Sequence, residues 1–392
     1  MIVLKRKPLS ELFTPKKILL ALTLFLLVFP KGGIKLGGIP LTWGYLLLVG
    51  LSVILLMQKQ FQIQTSRLQA LLLLLPFQLI AAMTILINGV EGVGFTFSLF
   101  LSFFFFPSLF FLLLSPALEK MDLTYFSSLI KKGVFFVSVY GIFLFFFKLT
   151  TGKLIEIPFL TINFHDIGEI EGKCNNRGAI FKLISTYNNG NIFGICILIF
   201  LSFYSYVETA RWRRYIVRLA LFLTFSRTVW VGLIFSEMAS EYFVKQSKRL
   251  FFFKIIAIPL SIITLIVGAA FIAGFDYHFF LDSTLGGRIT QLQTIPSFSF
   301  LSDRPFNDVL EIVYLGILEH FGLLGLIAYL AAMLGPLFLI FAHHKTISPM
   351  RGSLLCGLLT YLFVSASDGA LLFIPVLAFY WFCASLALRY KI

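Results

Sequence analysis

Apolar residues along this chain fall in continuous blocks, not in alternation with polar ones. The blocks lie near 18–36, 41–57, 68–88, 95–116, 133–149, 184–207, 251–274, 321–343, 352–366 and 369–387. Each reaches or approaches the ~20 residues that carry a helix across ~30 Å of hydrocarbon. Alternation with a period of two would instead mark an outer-membrane barrel. The stretch 215–244, YIVRLALFLTFSRTVWVGLIFSEMASEYFV, differs because Arg227 sits near its centre. It is basic on both sides, with Arg211, Arg213, Arg214 and Arg218 before and Lys245, Lys248, Arg249 and Lys254 after. Positive charge collects on the cytoplasmic side of a membrane, so both ends belong there. The stretch therefore reads as a hairpin of two short helices with Ser226-Arg227 at its extracytoplasmic tip. A half of about 11 residues rises only about 16 Å, so a re-entrant hairpin is the alternative.

The pattern predicts an all-α, polytopic integral membrane protein: a single transmembrane domain over 1–392 with about 12 transmembrane helices. In that arrangement both termini are cytoplasmic, and 22 of the 32 Lys and Arg lie inside, as the charge rule requires. Two extracytoplasmic loops are long, at about 150–183 and 275–320. Neither is low-complexity and both carry aromatics. Long loops in compact proteins are usually functional or disordered, and this make-up favours ordered structure. The first apolar block lacks a small-residue cleavage site after it and is expected to stay as a signal-anchor.

Composition agrees with the blocks. Hydrophobic residues make up 59% and charged ones 13%, and the mean hydropathy is +0.94. A soluble domain averages roughly 45–50% apolar and about 25% charged. The net charge of +14 would suggest nucleic acid in a soluble protein. Here it follows the membrane rule, and nucleic acid is not an expected partner. Cys174, Cys196, Cys356 and Cys383 are scattered, three of them in apolar blocks, so no disulfide framework or metal spacing is present.

Candidate chemistry gathers in the outside segments. Arginine near hydrocarbon is costly and usually functional, though at a tip Arg227 can also snorkel to water. A guanidinium fits a pair of phosphate oxygens, and Ser226 beside it adds a hydroxyl. A second polar run, CNNRGAIFKLISTYNNGNIFG, leads into the span at 184–207. It offers Arg177 and Lys182 as cations and Tyr187, Asn189 and Asn191 as hydrogen-bonding groups. Two readings stay open there, a wall for sugar or phosphate and ordinary helix capping by Ser, Thr and Asn. The third group is Gly286-Gly287-Arg288-Ile289-Thr290, then Arg304 in LSDRPFNDVLEIVYLGILEHFG. Asp308 and Glu311 have the spacing of a helix start, and as a helix they would share a face with Leu315 and Glu319. Such a helix would lie at the interface and lead into the span at 321–343. Either carboxylate could instead act as a general base on a sugar hydroxyl. His165, His278 and His320 are the outside histidines, too dispersed for a metal site, and no cofactor is expected. Cations and hydroxyls with one or two carboxylates on the outer face suit an anionic headgroup such as a lipid-linked diphosphate.

Three of these segments resemble the O-antigen polymerase/ligase superfamily of bacterial membrane glycosyltransferases. FSRTVWVGLIF at 225–235 is similar to the family's Ser-Arg motif near the outer ends of two central helices. KLISTYNNGN at 182–191 is similar to a pattern of Arg, Gly-Thr-Phe and Asn-Pro-Asn, with Lys182 at the Arg and Gly190 at the Pro. GGRIT at 286–290 followed by NDVLEIVYLGILEHFGLLGLIAYL at 307–330 resembles the Gly-Arg turn and loop helix. The likeness covers roughly the central and C-terminal 200 residues, in short, degenerate motifs that share order and topology. Counting back from Gly322, Glu311 stands where many members have His, a departure that argues against the ligases. The resemblance implies a metal-independent polymerase of undecaprenyl-diphosphate-linked oligosaccharide in the bacterial cytoplasmic (inner) membrane, with a flippase and a chain-length regulator as partners. Arg227 and Arg288, with Arg177 or Lys182, would hold the leaving diphosphate, and Glu311 or Asp308 would act on the acceptor. A ligase of the same superfamily and a lipid-linked-oligosaccharide flippase or transporter are the competing readings.

Overall fold

The computed structural model describes residues 15–36, 39–58, 64–168, 176–177, 180–245, 299–307, 310–344, 346–373 and 375–390, with single positions between. The expected span at 251–274 lies outside these ranges apart from single positions, and His278, Arg288 and Asp308 lie outside the described residues.

Helix α1 (Pro15–Leu22) continues in wide π-type turns to Val28. A short antiparallel hairpin follows, β1 (Gly33–Leu36) on β2 (Ile39–Thr42), with Gly33 opposite Thr42. Next come α2 (Trp43–Gln58), α3 (Thr65–Asn88) and α4 (Val93–Leu113), the last interrupted by π-type turns around Pro107. After the short α5 (Ser115–Glu119), Asp122 caps α6 (Leu123–Thr151) by accepting from the N–H groups of Thr124 and Tyr125. Those bonds and the Thr124 hydroxyl, the largest influence, hold the Asp122 carboxyl below its ordinary value. Gly152, at φ 73°, closes α6.

A two-residue ladder, β3 (Asn176–Arg177) with β4 (Ile180–Phe181), precedes α7 (Gly190–Val207). Then come α8 (Arg211–Phe222) and α9 (Arg227–Phe243), with the turn between them at Leu223–Ser226. The chain is described again along α10 (Val313–His343), α11 (Pro349–Val364) and α12 (Val376–Ala387). α3 lies along α10, α11 packs on α7 and α9, and α8 packs on α6.

The described residues are mostly helical, and the protein is membrane-embedded by the length and apolarity of its helices. Thr65–Asn88, Val93–Leu113, Leu123–Thr151, Gly190–Val207 and Val313–His343 are long and apolar enough to cross a bilayer. Trp43–Leu56, Pro349–Val364 and Val376–Ala387 are apolar but shorter. Among the described residues, then, five helices meet the criterion, against an expected twelve. In the α8–α9 hairpin, α9 has 17 residues, longer than the expected half. Arg218 on α8 pairs with Glu237 on α9 at 2.6 Å, so neither charge faces hydrocarbon alone.

Two differences from the expected outline bear on function. The helix expected from Asp308 begins only at Val313, so Glu311 stands in the turn before it and not on a helical face with Glu319. The N–H of Val313 is taken by the Ser365 carbonyl at 3.2 Å, and this contact across the bundle sets the helix start in place of a side-chain cap. α10 is also broken at Gly322, where φ is 72° and ψ −174°. A Cβ there would come within 2.6 Å of the Phe300 carbonyl oxygen. Past the break, the N–H groups of Leu323 and Leu324 donate to the Ser299 and Phe300 carbonyls, so the loop supplies the acceptors the break removed.

Helix directions give the bundle two distinct ends. At one, the basic end, Arg67 on α3 is fully buried and meets Glu119 at 3.0 Å. It also donates to the Ser115 hydroxyl and to the Ser115 and Ser385 carbonyls. Arg351 donates to the Ala387 and Arg389 carbonyls there, and Arg389 to that of Met121. At the other, the loop end, lie the β1–β2 hairpin, the 157–166 loop, the start of α7, the α8–α9 turn and the 365–373 turn.

Candidate functional site

Polar residues at the edges of apolar runs build the loop end. Asn189, extended at φ −157°, accepts from the N–H groups of Asn191 and Ile192 and starts α7. Ser226 accepts from Val229 and starts α9. The two starts are neighbours, since a Cβ on Gly194 would lie 2.2 Å from the Val229 side chain. Two adjacent helix N-termini present a partial positive charge, and Arg227, half-buried, is the first residue of α9.

Onto these starts folds the turn after α11. The Thr228 and Ser367 hydroxyls are 3.0 Å apart. Asn191 donates through Nδ2 to Asp368 Oδ2 at 2.6 Å. Gly369 donates its N–H to the Glu311 carbonyl at 3.3 Å, where a Cβ would strike the Val313 side chain at 2.5 Å. Beside these contacts lies a cavity of about 270 Å³, lined by Asn189, Asn191, Glu311 and Asp368 among Phe95, Leu310, Leu372 and Phe373. Asp368 is 5% exposed. Its carboxylate fixes the Asn191 amide, because a flip would turn oxygen toward oxygen. The buried Asn191 Oδ1 then has no donor among the described residues.

The predicted residues separate into three groups. Asn189, Asn191 and Glu311 line the cavity, and Ser226 and Arg227 begin the helix that abuts it. Lys182 is beside them, since a Cβ on Gly190 would lie 3.3 Å from the Lys182 Cβ. Tyr187 is fully buried and donates its hydroxyl to the Leu27 carbonyl at 2.8 Å, so that group anchors α1. Arg304 and His320 fall elsewhere, around the break in α10. Arg304 pairs with Glu319 at 2.8 Å, and the His320 ring packs edge-on against Phe306 at 5.3 Å. Of Arg177 the backbone alone is described, in β3. No group of three or more His, Cys, Asp or Glu side chains comes together among the described residues.

Sequence reasoning passed over Asp368, Ser367 and Thr228. For Asp368 and Ser367 the signal in the sequence is Ser365-Ala366-Ser367-Asp368-Gly369, a polar interruption between two apolar blocks. Comparison with protein-family models, curated proteins and solved structures finds no match to this chain. The geometry of the loop end therefore stands as its own guide.

Proposed function

We propose that the chain is a membrane glycosyltransferase that polymerises undecaprenyl-diphosphate-linked oligosaccharide repeat units into a surface polysaccharide on the extracytoplasmic face. One observation carries the reading: at one end of a bundle of apolar helices, a cavity is lined by the carboxyl-bearing Glu311 and Asp368 and by the carboxamide-bearing Asn189 and Asn191 at the start of α7, and the turn that carries Asp368 reaches the start of α9, where Arg227 stands, through Thr228 and Ser367. In the reaction, an acceptor hydroxyl oxygen bonds to the anomeric carbon of the donor sugar. The bond from that carbon to the diphosphate oxygen breaks, and the lipid diphosphate leaves as the anion. The acceptor's proton passes to Glu311 or Asp368, whose carboxylates share the cavity wall. Arg227 and the partial positive charge at the α7 and α9 N-termini stabilise negative charge as it builds on the leaving oxygen. Lys182 adds a cation on the same side, and Arg288 of the GGRIT turn is a further candidate by resemblance. The position of the cavity at an end of the helices, not midway along them, favours transferase over alternating-access transport.

The test is a glycan ladder. In a strain deleted for the gene, surface polysaccharide is run on a gel after complementation with wild type or with Arg227→Ala. A single-repeat band in the null, with a ladder restored by wild type alone, supports the reading. A full ladder from Arg227→Ala overturns the phosphate assignment, and long polymer retained on undecaprenyl diphosphate in the null points to a ligase.

A further inference from the structure

A second cavity, of about 260 Å³, adjoins the first and shares Asn189, Ile192 and Phe373 with it as a wall. Its other sides are the β1–β2 hairpin and the 157–166 loop, which no motif in the sequence singled out. The two segments are locked together by backbone. Gly33 pairs with Asn163, and the Trp43 indole donates to the Phe159 carbonyl at 2.6 Å. A Cβ on Gly32 would come within 2.3 Å of the Leu160 carbonyl oxygen. Asn188 donates to the Thr161 carbonyl at 2.9 Å. These contacts make the walls part of the fold, and a preformed pocket spares a ligand the cost of ordering them.

The polar groups repeat the arrangement of the first cavity. There, Asn191 is oriented by Asp368. Here, Asn163 Nδ2 faces Asp166 Oδ2 at 3.4 Å, and Lys35 holds the other oxygen of Asp166 at 2.9 Å. A flipped Asn163 would set its oxygen against the carboxylate, so the amide orientation is fixed. Asn163 is 6% exposed, and its Oδ1 has no donor among the described residues. A buried acceptor without a partner costs roughly 1–3 kcal/mol, and this one belongs to a residue of the cavity wall. Phe373 supplies an apolar face, and Lys31 sits 5.9 Å from its ring centroid. Fixed carboxamide and carboxylate groups beside an aromatic ring suit a sugar, which has hydroxyls at its rim and C–H groups on its face. The volume, just below the ~300 Å³ where drug-sized pockets begin, is on the scale of one such ring.

We propose that the cavity between the Gly33–Thr42 hairpin and the 157–166 loop is a saccharide-binding subsite, one sugar position removed from the Asp368 cavity across Phe373. The proposal rests on the polymerase reading for its substrate, and its test is separable from that reading. The full-length protein in nanodiscs is titrated with the oligosaccharide repeat released by mild acid from the host's lipid-linked intermediates, free of lipid and phosphate. Binding is followed by saturation-transfer NMR. Wild type should bind, and Asn163→Leu should weaken binding tenfold or more with an unchanged melting curve. Lys31→Gln, at a half-buried position, should also weaken it and decides the matter if Asn163→Leu does not fold. Wild-type affinity in a folded Asn163→Leu, or in Lys31→Gln when Asn163→Leu fails to fold, overturns the subsite, as does a wild-type protein that binds no oligosaccharide. Loss of binding in Asn163→Leu alongside a full ladder from Arg227→Ala would keep the subsite and remove the phosphate assignment on which the polymerase reading leans.

Discussion

Both ends of this bundle bury polar side chains, but they use them differently. At the basic end, Arg67 turns its donors on Glu119, Ser115 and Ser385. Arg351 and Arg389 likewise bind carbonyls of their own chain. At the loop end, Asn163 and Asn191 are each aligned by an aspartate and each keep a buried oxygen without a donor among the described residues. Burial alone therefore does not identify a site. A polar group turned on its own chain away from any cavity holds the fold together, whereas one aligned by its neighbours on a cavity wall and left a donor short is arranged for something else.

Substitutions at the two ends should separate accordingly. The largest effect is expected from Arg227→Ala, which should reduce the glycan ladder to the background of the null strain while membrane levels of the protein stay unchanged. Next come Glu311→Gln and Asp368→Asn. Whichever carboxylate takes the acceptor's proton should lose roughly 10²–10⁴-fold in polymerisation rate, the usual worth of general-base catalysis, and the other should lose less. Equal, small losses would remove general-base catalysis from this cavity. Arg67→Ala tests the basic end, where removing the buried guanidinium leaves the Ser115 and Ser385 acceptors without their donor and should cost about 1–3 kcal/mol. The readout is thermal unfolding in detergent, and the surviving folded protein should still make a normal ladder. A shortened ladder at full stability would break the division between the ends. The smallest effect on stability is expected from Tyr187→Phe, which deletes one buried hydrogen bond to Leu27 and should cost about 1 kcal/mol in thermal unfolding.

Much of this contrast was legible in the chain because hydrophobic blocks and charge clusters are local signals. The apolar runs that became α3, α6, α7 and α10 are continuous in sequence, and the hairpin tip at Ser226-Arg227 follows from basic residues on both sides of one stretch. The helix caps at Asn189 and Ser226 obey short-range rules. What stayed hidden is long-range. Asp368 matters because α11 returns its C-terminal turn to the start of α7, bringing it to a residue 177 positions earlier. The start of α10 moved from Asp308 to Val313 because Ser365 supplies a carbonyl from a different helix. Asn163 looked like an ordinary loop residue until the β1–β2 hairpin closed against it.

The break in α10 at Gly322 has a mechanical consequence. An unbroken helix would carry any change of tilt straight from the bilayer to the turn holding Glu311. Bilayers differ in thickness by several ångströms, and helices respond to mismatch mainly by tilting. With the hydrogen-bond ladder interrupted at Gly322, the two parts of α10 are held by different partners, Val313 by the Ser365 carbonyl and Leu323 and Leu324 by the loop at 299–300. A change of tilt past the break then need not reach the turn holding Glu311, and the spacing between Glu311 and Asp368 should hold when the membrane composition of the cell shifts.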